Sequence, residues 1–293
     1  MVKVQRLPLS HSPGFNAIVM TTLVIALVLS AAAMHAAWNG LVKISGDRLA
    51  VMAALMGVGG VIGLGMIPFF AVPAPEAWPF LGLSLAIHMA YYVGLIRAYR
   101  HGDLSQVYPI ARGAAPIMVA LASGPAMGET LSTTQMVGVG LVSAGILSLA
   151  IGQGSRRAAA WAFLTAVTIA LYSLADATGV RKSGDALGYI AWLFFIDGIP
   201  LLVVAFARRG RDLAGILRRD LGRTLLGGAL SIAGYGIVIW AYSLGTVATI
   251  AALRETSVVF AAIIGSVFLG EPFGARRIAA AIVVALGILV MTL

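Results

Sequence analysis

Two arginines lie inside apolar segments of this sequence. Arg112 and Arg254 are about seven and eight residues inside their segments, roughly 10 Å from a helix end at 1.5 Å per residue. A charge at that depth in a bilayer is costly, which makes an intramembrane arginine a functional hypothesis. The planar guanidinium is well shaped to hold a carboxylate through two hydrogen bonds. The alternative is a structural arginine that bonds backbone carbonyls or pairs with Glu255, Asp176 or Asp197.

Aromatic and polar side chains accompany the arginines in otherwise apolar segments. Facing lipid would leave their polar groups unpaired, so they are expected to face a cavity, and a ligand with a ring could stack there. The candidate substrate-binding residues, besides the two arginines, are Trp38, Asn39, His88, Tyr91, Tyr92, Asp176, Tyr235 and Trp240. Aromatic residues near helix ends more often form a belt at the membrane interface. That is the expectation for Tyr99, Tyr189 and Tyr242.

The composition is that of a chain whose solvent is lipid. Hydrophobic residues make up 60% of the sequence and charged residues 11%, whereas a soluble domain has about 25% charged residues. The apolar runs are about 20 residues long and do not alternate, which predicts transmembrane helices and not a barrel. There is no cysteine, which excludes disulfides and thiolate metal sites. The net charge of +9 is attributed to loop arginines and not to nucleic-acid binding.

The hydropathy pattern predicts an all-α polytopic membrane protein with ten transmembrane helices. A tail at 1–19 precedes them. Most predicted loops are only a few residues long, so consecutive helices are expected to be antiparallel neighbours. The predicted spans are 18–42, 49–72, 78–98, 105–127, 132–152, 158–180, 186–207, 222–244, 246–269 and 275–293.

The chain contains an internal repeat. Tyr92 and Tyr99 recur at an offset of 143, and Arg112, together with the pair Gly128 and Glu129, recurs at an offset of 142. The two halves are 20–152 and 153–293, with five spans each. Because five is odd, the second half must enter the membrane from the opposite side. Inverted repeats of this kind are typical of secondary transporters, with the substrate site near the midplane between the halves.

The ten spans, the five-plus-five repeat and the Gly-Glu turns at 128–129 and 270–271 resemble the drug/metabolite transporter superfamily. Within it the chain is most similar to EamA-type proteins, and among those to bacterial aromatic amino acid exporters. The resemblance implies a cavity lined by spans 1–4 and 6–9, with spans 5 and 10 at the periphery. It also implies export of amino acids and related amphipathic metabolites, by alternating access, across the bacterial inner membrane.

Other functions are less well supported by the sequence. The runner-up is a multidrug efflux pump for cationic aromatic compounds, with Asp176, Asp197 and Glu255 as ligands. An enzyme is not expected, because the chain has no Gly-x-Ser-x-Gly elbow, no His-Glu-x-x-His motif and no acidic metal motif. No cofactor or metal is expected, and the expected partners are a small-molecule substrate and the lipid bilayer. A homodimer is left open.

Charge and proline give two further expectations. Most lysines and arginines, including six arginines at 208–223, lie in the loops after odd-numbered spans. The positive-inside rule predicts that these loops are cytoplasmic and both termini outside, whereas the resembled superfamily commonly has both termini inside. A short surface helix is expected around 213–217. Pro109 and Pro116 predict kinks in span 4 that span 9, without proline, lacks.

Overall fold

The computed structural model describes residues 22–43, 48–152, 154–210, 221–269 and 274–293, with Asp212, Gly215 and Arg218. Its regular elements in these ranges are α-helices with two short 3₁₀ turns, Ile67–Phe69 and Pro75–Ala77. The α-helices are α1 (Thr22–Lys43), α2 (Arg48–Met66), α3 (Trp78–His101), α4 (Leu104–Met127), α5 (Thr133–Ser148), α6 (Arg156–Lys182), α7 (Ala186–Arg209), α8 (Leu221–Tyr242), α9 (Val247–Glu255), α10 (Ser257–Leu269) and α11 (Ala275–Met291).

Eight spans in the described residues are long and apolar enough to cross a membrane, with α9 and α10 together forming one of them. The helices α5 and α11 are shorter, at 16 and 17 residues. The prediction of an all-α polytopic membrane protein is confirmed. The α-helix of the second span ends at Met66, six residues before the predicted end of the span, because Pro68 lacks the N–H that would continue the helix. The apolar span itself reaches Phe69. The surface helix expected at 213–217 lies outside the described residues.

The ninth span is broken, although it contains no proline. Its helical hydrogen bonding stops at Thr256, whose hydroxyl and backbone N–H both donate to the carbonyl of Leu253, at 2.6 and 3.2 Å. Such local threonine bonds compete with the helix and bend it. In contrast, α4 continues through Pro109 and Pro116 as one helix. In spans 4 and 9, therefore, proline content does not predict which helix is interrupted.

Helix pairing across the two halves follows a two-fold pattern. A helix pair in contact has a counterpart when each helix is replaced by the equivalent helix of the other half. The contact of α3 with α6 corresponds in this way to that of α8 with α1, and the contact of α4 with α6 corresponds to that of α9 and α10 with α1. The pairs α2–α7 and α5–α11 each consist of two equivalent helices. Glycines bring the helices of these two pairs close. A Cβ on Gly198 would lie 2.8 Å from Gly60 Cα, and one on Gly287 would lie 2.9 Å from the Gly138 carbonyl oxygen. This is the pairing that an inverted repeat requires, and the division between 152 and 153 stays a prediction.

One end of the bundle is tied together by the first Gly-Glu turn. Gly128 closes α4 with a φ of 71°, a conformation that glycine adopts without strain. The Glu129 carboxylate then accepts the backbone N–H of Val247, at 3.0 and 3.1 Å, where α9 begins. Arg181 donates to the same carboxylate at 2.6 Å and to the carbonyls of Tyr242 and Gly245. The second Gly-Glu turn, at 270–271, lies outside the described residues.

Candidate functional site

A cavity of about 100 Å³ lies between α1–α4 and α6–α9. Its wall includes seven of the ten residues predicted from the sequence: Trp38, His88, Tyr91, Tyr92, Arg112, Tyr235 and Arg254. It also includes residues that were not among the ten, notably His35, Met52, Met56, Tyr172, Phe194 and Asp197.

The cavity lies near the middle of the bundle. Its lining residues are close to the midpoints of the helices that supply them, as at 52–59 on α2 and at 231–235 on α8. The arginine-rich end of the bundle is where α1 stops and α2 starts. The opposite end carries the contacts of Glu129 and Arg181. The site is therefore separated from both ends of the bundle.

Both intramembrane arginines bind one carboxylate. Arg112 Nε lies 2.5 Å from Glu255 Oε2, and Arg254 donates to Glu255 Oε1 from Nη2 at 2.9 Å and from Nε at 3.1 Å. The three side chains are at most 4% exposed. The Arg112 Nε–H does not point along a good hydrogen bond to Oε2, so that contact is an ion pair by distance. The structural alternative, a buried arginine paired with Glu255, thus describes this state.

The charge of this cluster is unbalanced. Arg112 Nη2 is 3.0 Å from His35 Nε2, and because arginine offers only donors, that nitrogen accepts and the imidazole is neutral. Two guanidinium groups and one carboxylate then leave a surplus of one positive charge. The repeat explains the asymmetry, since the first-half position that matches Glu255 is Gly113. One further anion would balance the cluster, and an uncompensated buried charge is costly.

Aromatic rings continue the wall from the arginines to α3 and α8. His88 stacks on Tyr172 with ring centroids 4.4 Å apart, and Tyr235 meets both rings edge-on at 6.1 Å. Tyr91 meets Tyr172 edge-on at 6.0 Å. The guanidinium of Arg254 lies over the Tyr172 ring, 5.6 Å from its centroid. A ring can therefore pack here beside a positive charge, in geometries that aromatic pairs prefer.

The two aspartates predicted near the arginines have different surroundings. Asp176 is fully buried and accepts hydrogen bonds from the hydroxyls of Tyr235, at 2.5 Å, and Tyr189, at 3.2 Å. Asp176 does not line the cavity, but its partner Tyr235 does. Asp197 lines the cavity itself, and its Oδ1 is buried with no hydrogen-bond partner among the described residues.

Several sequence-based expectations differ from the structure. The amide of Asn39 donates to the His35 carbonyl at 2.7 Å, a bond within its own helix, and does not line the cavity. Trp240 lies at a separate apolar groove between α1, α2, α7 and α8. Tyr189 and Tyr242 are fully buried, so the interfacial belt expected for them is wrong. Tyr189 and Tyr242 lie near the ends of their spans, yet both side chains point into the bundle and are covered by other residues.

Two cavity residues had a usable sequence signal. His35 shares a helix face with Trp38, and Tyr172 is four residues before Asp176. In the second pair the sequence predicts the aspartate as the site residue, but the structure places the tyrosine ring on the cavity wall and not the carboxylate. Met52 and Met56 carry no polar group, so nothing in their sequence context separates them from packing residues.

Comparison with known proteins gives a family match, two curated relatives and a shared fold. Residues 156–293 match the EamA-like transporter family. The chain is similar to the "Probable 4-amino-4-deoxy-L-arabinose-phosphoundecaprenol flippase subunit ArnF" of Pseudomonas aeruginosa strain LESB58, with 33% identity over 129 residues, 42% of this chain and 90% of that protein. The protein of the same name from a second strain is 33% identical over 100 residues, 30% of this chain and 70% of that protein. A solved crystal structure superposes with a TM-score of 0.70 and 16% identity, covering 92% of this chain and 95% of the other, which shows the fold alone.

Proposed function

Because this chain belongs to the EamA-like transporter family, within the drug/metabolite transporter superfamily, we propose that it is a secondary transporter that exports amino acids. Aromatic amino acids and related amphipathic metabolites are its proposed substrates, and the bacterial inner membrane is its proposed location. Two inverted halves, 20–152 and 153–293, would carry the substrate by alternating access.

One observation supports the substrate class above all: Arg112 and Arg254 share a single carboxylate on the wall of an aromatic cavity. The surplus positive charge favours a ligand with one negative charge. The fork of a guanidinium holds a carboxylate through two bonds. The rings of Tyr172, His88 and Tyr235 lie beside that charge, so an aromatic side chain could pack there while its carboxylate meets the arginines.

The arrangement of the two ends fits alternating access. The cavity lies near the middle of the bundle, and Glu129 and Arg181 join α4, α6 and α9 at the end opposite the arginine-rich loops. In a transporter built from two halves, movement of one half against the other closes one end and opens the opposite one. The contacts of Glu129 are the ones that would have to separate for substrate to leave at that end.

A second candidate function is transport of a lipid-linked anionic sugar. The name of the curated relatives describes a flippase for a lipid with amino and phosphate groups, and a phosphate would also suit the arginines. The apolar groove at Trp240, of about 390 Å³, shares Ile232 with the cavity and has Leu187 exposed on its rim. A hydrocarbon chain could lie there while a head group occupied the cavity.

The cationic-drug alternative receives less support. Two of the three carboxylates it needs are engaged, Glu255 by the arginines and Asp176 by two tyrosine hydroxyls. A cation entering the cavity would also meet the surplus positive charge of the arginine cluster.

Counterflow in proteoliposomes tests the proposal. Vesicles loaded with unlabelled phenylalanine should accumulate labelled phenylalanine transiently, and tyrosine and tryptophan should compete. No accumulation above protein-free vesicles would overturn amino acid transport. A parallel assay with a fluorescent lipid-linked sugar phosphate would then show whether the second candidate holds.

A further inference from the structure

We propose that the Asp197 carboxylate is a binding site shared by two ligands in turn, the ammonium group of the substrate and a proton. The inference rests on the proposed transport of amino acids and adds how that transport is coupled. It assigns the second charge of a zwitterion to Asp197 on α7, which lines the same cavity as the arginines that would hold the first charge.

Asp197 differs from the other carboxylates inside the described bundle. Glu255 pairs with two arginines and Asp176 accepts from two tyrosines, whereas Asp197 Oδ1 is buried without a hydrogen-bond partner among the described residues. A buried acceptor left unpaired costs about 1–3 kcal/mol, and more when charged. Its position on the cavity wall means that the missing donor can be supplied by whatever enters the cavity.

Two of the hydroxyl donors on the cavity wall are already used, and one nitrogen of His88 is also engaged. The Tyr92 hydroxyl donates to the Met56 sulfur at 3.4 Å, and the Tyr235 hydroxyl donates to Asp176. His88 Nδ1 lies 3.2 Å from the Ser84 hydroxyl. Titratable and charged groups line this cavity from most of the helices around it: His35 on α1, His88, Tyr91 and Tyr92 on α3, Arg112 on α4, Tyr172 on α6, Tyr235 on α8 and Arg254 on α9. The residues that α2 contributes to the wall are not titratable.

Two ligands have the right chemistry for this acceptor. A primary ammonium brings three N–H donors and a positive charge, and a proton neutralises the carboxylate directly. Both occupy the same oxygen, so they exclude each other. The carboxylate is neutralised in either loaded state, and only the state with neither ligand keeps a bare charge inside the bundle.

Asp197 lies beside the crossing of α7 and α2, so its charge can affect how these two helices pack. Its neighbour Gly198 packs against Gly60 where α7 crosses α2, which is one of the helix pairs that join the two halves. Pro200 lacks an N–H, which leaves the Ile196 carbonyl outside the helical ladder beside the same residue. A change of charge at this crossing acts where the halves must move against each other. Exchange of the two ligands therefore produces antiport, in which one proton leaves Asp197 as one substrate ammonium arrives.

Proton release on substrate binding tests the inference. Phenylalanine is added to purified protein in weakly buffered detergent while a pH dye reports protons and calorimetry reports binding. The wild-type protein should release about one proton for each molecule bound in buffers acidic enough for Asp197 to be protonated. Asp197→Asn should still bind, more weakly, and release none, and its affinity should no longer change with pH.

Three variants secure the assignment. Asp197→Glu keeps a carboxylate and should keep proton release, which covers the case in which the asparagine variant fails to fold. His88→Gln should also keep it, and loss in His88→Gln alone would assign the proton to the imidazole and overturn the inference. Asp103→Asn removes a carboxylate at the N-cap of α4, outside the cavity, and should behave as wild type. Binding by wild-type protein without proton release contradicts the coupling alone, whereas no binding at all contradicts the transport proposal.

Discussion

Replacing Arg112 by lysine separates the charge of the arginine cluster from its geometry. The guanidinium of Arg112 reaches Glu255 with Nε and His35 with Nη2, so its donors point in two directions. A lysine ammonium keeps the positive charge but is a compact point charge without the planar fork. The variant therefore loses at least one charged hydrogen bond to a bound carboxylate, while the net charge of the arginine cluster is unchanged.

The size of the effect follows from that single bond. A hydrogen bond to a charged group contributes about 1.5–3 kcal/mol, and about 1.4 kcal/mol is a factor of ten in affinity. Arg112→Lys should therefore bind phenylalanine about 10- to 150-fold more weakly. Its affinity for phenylalanine amide, which has no carboxylate, should be close to that of the wild-type protein.

Equilibrium binding to detergent-purified protein provides the assay, with Arg97→Lys as the matched control. Arg97 lies over the Trp161 ring, 4.9 Å from its centroid, and is outside the cavity wall. Equal affinity of wild type and Arg112→Lys for phenylalanine would refute the bidentate contact. An equal loss for phenylalanine and its amide would show that Arg112 supports the fold and does not recognise the carboxylate.

Three further predictions concern the ring wall, the closed end and the orientation. Tyr92→Ala should weaken transport of phenylalanine about 2- to 13-fold more than that of alanine, since an aromatic pair contributes about 0.5–1.5 kcal/mol; equal loss at equal protein abundance would show a packing role. Glu129→Gln should lower the free energy of unfolding by about 1.5–3 kcal/mol. The measurement is unfolding in mixed micelles, with Glu76→Gln as the control. An unchanged free energy of unfolding would mean that Arg181 and Val247 find other partners. A cysteine at Ala214, outside the described residues, should resist an impermeant reagent added to intact cells, while one at Glu76 should react; the reverse pattern would show that the arginine-rich loops face outward.

The helices and the pair of arginines could be predicted from the sequence, because the hydropathy pattern and the internal repeat are both read directly along the chain. The offset of 142 linked Arg112 to Arg254, and both meet at Glu255. What the sequence did not give was the direction of each side chain. Trp240 and Asn39 looked equivalent to Trp38, yet only Trp38 reaches the cavity. The rotation of each helix depends on which glycines let a neighbour approach, and that is a property of the packed pair.

The interruption of the ninth span also depends on packing between helices, which the sequence does not show. Proline marks span 4 in the sequence, yet the interruption occurs at Thr256, directly after the residues that hold Arg112. Threonine competes with the helix only where its local bonds are not outweighed by packing, and that balance involves side chains from other helices. The sequence could therefore indicate a polar centre near Arg254 without indicating that the helix is interrupted there.

The most direct test of the central claim is ligand competition against labelled phenylalanine with wild-type protein. Phenylalanine carries the carboxylate, the ammonium and the ring, and each group is deleted in turn: phenylalanine amide, 3-phenylpropionate and alanine. If the arginine cluster, Asp197 and the aromatic wall each hold one of these groups, all three analogues should compete far more weakly than phenylalanine. Phenylalanine amide competing as well as phenylalanine would contradict the account, because the arginine cluster would then have no carboxylate to bind.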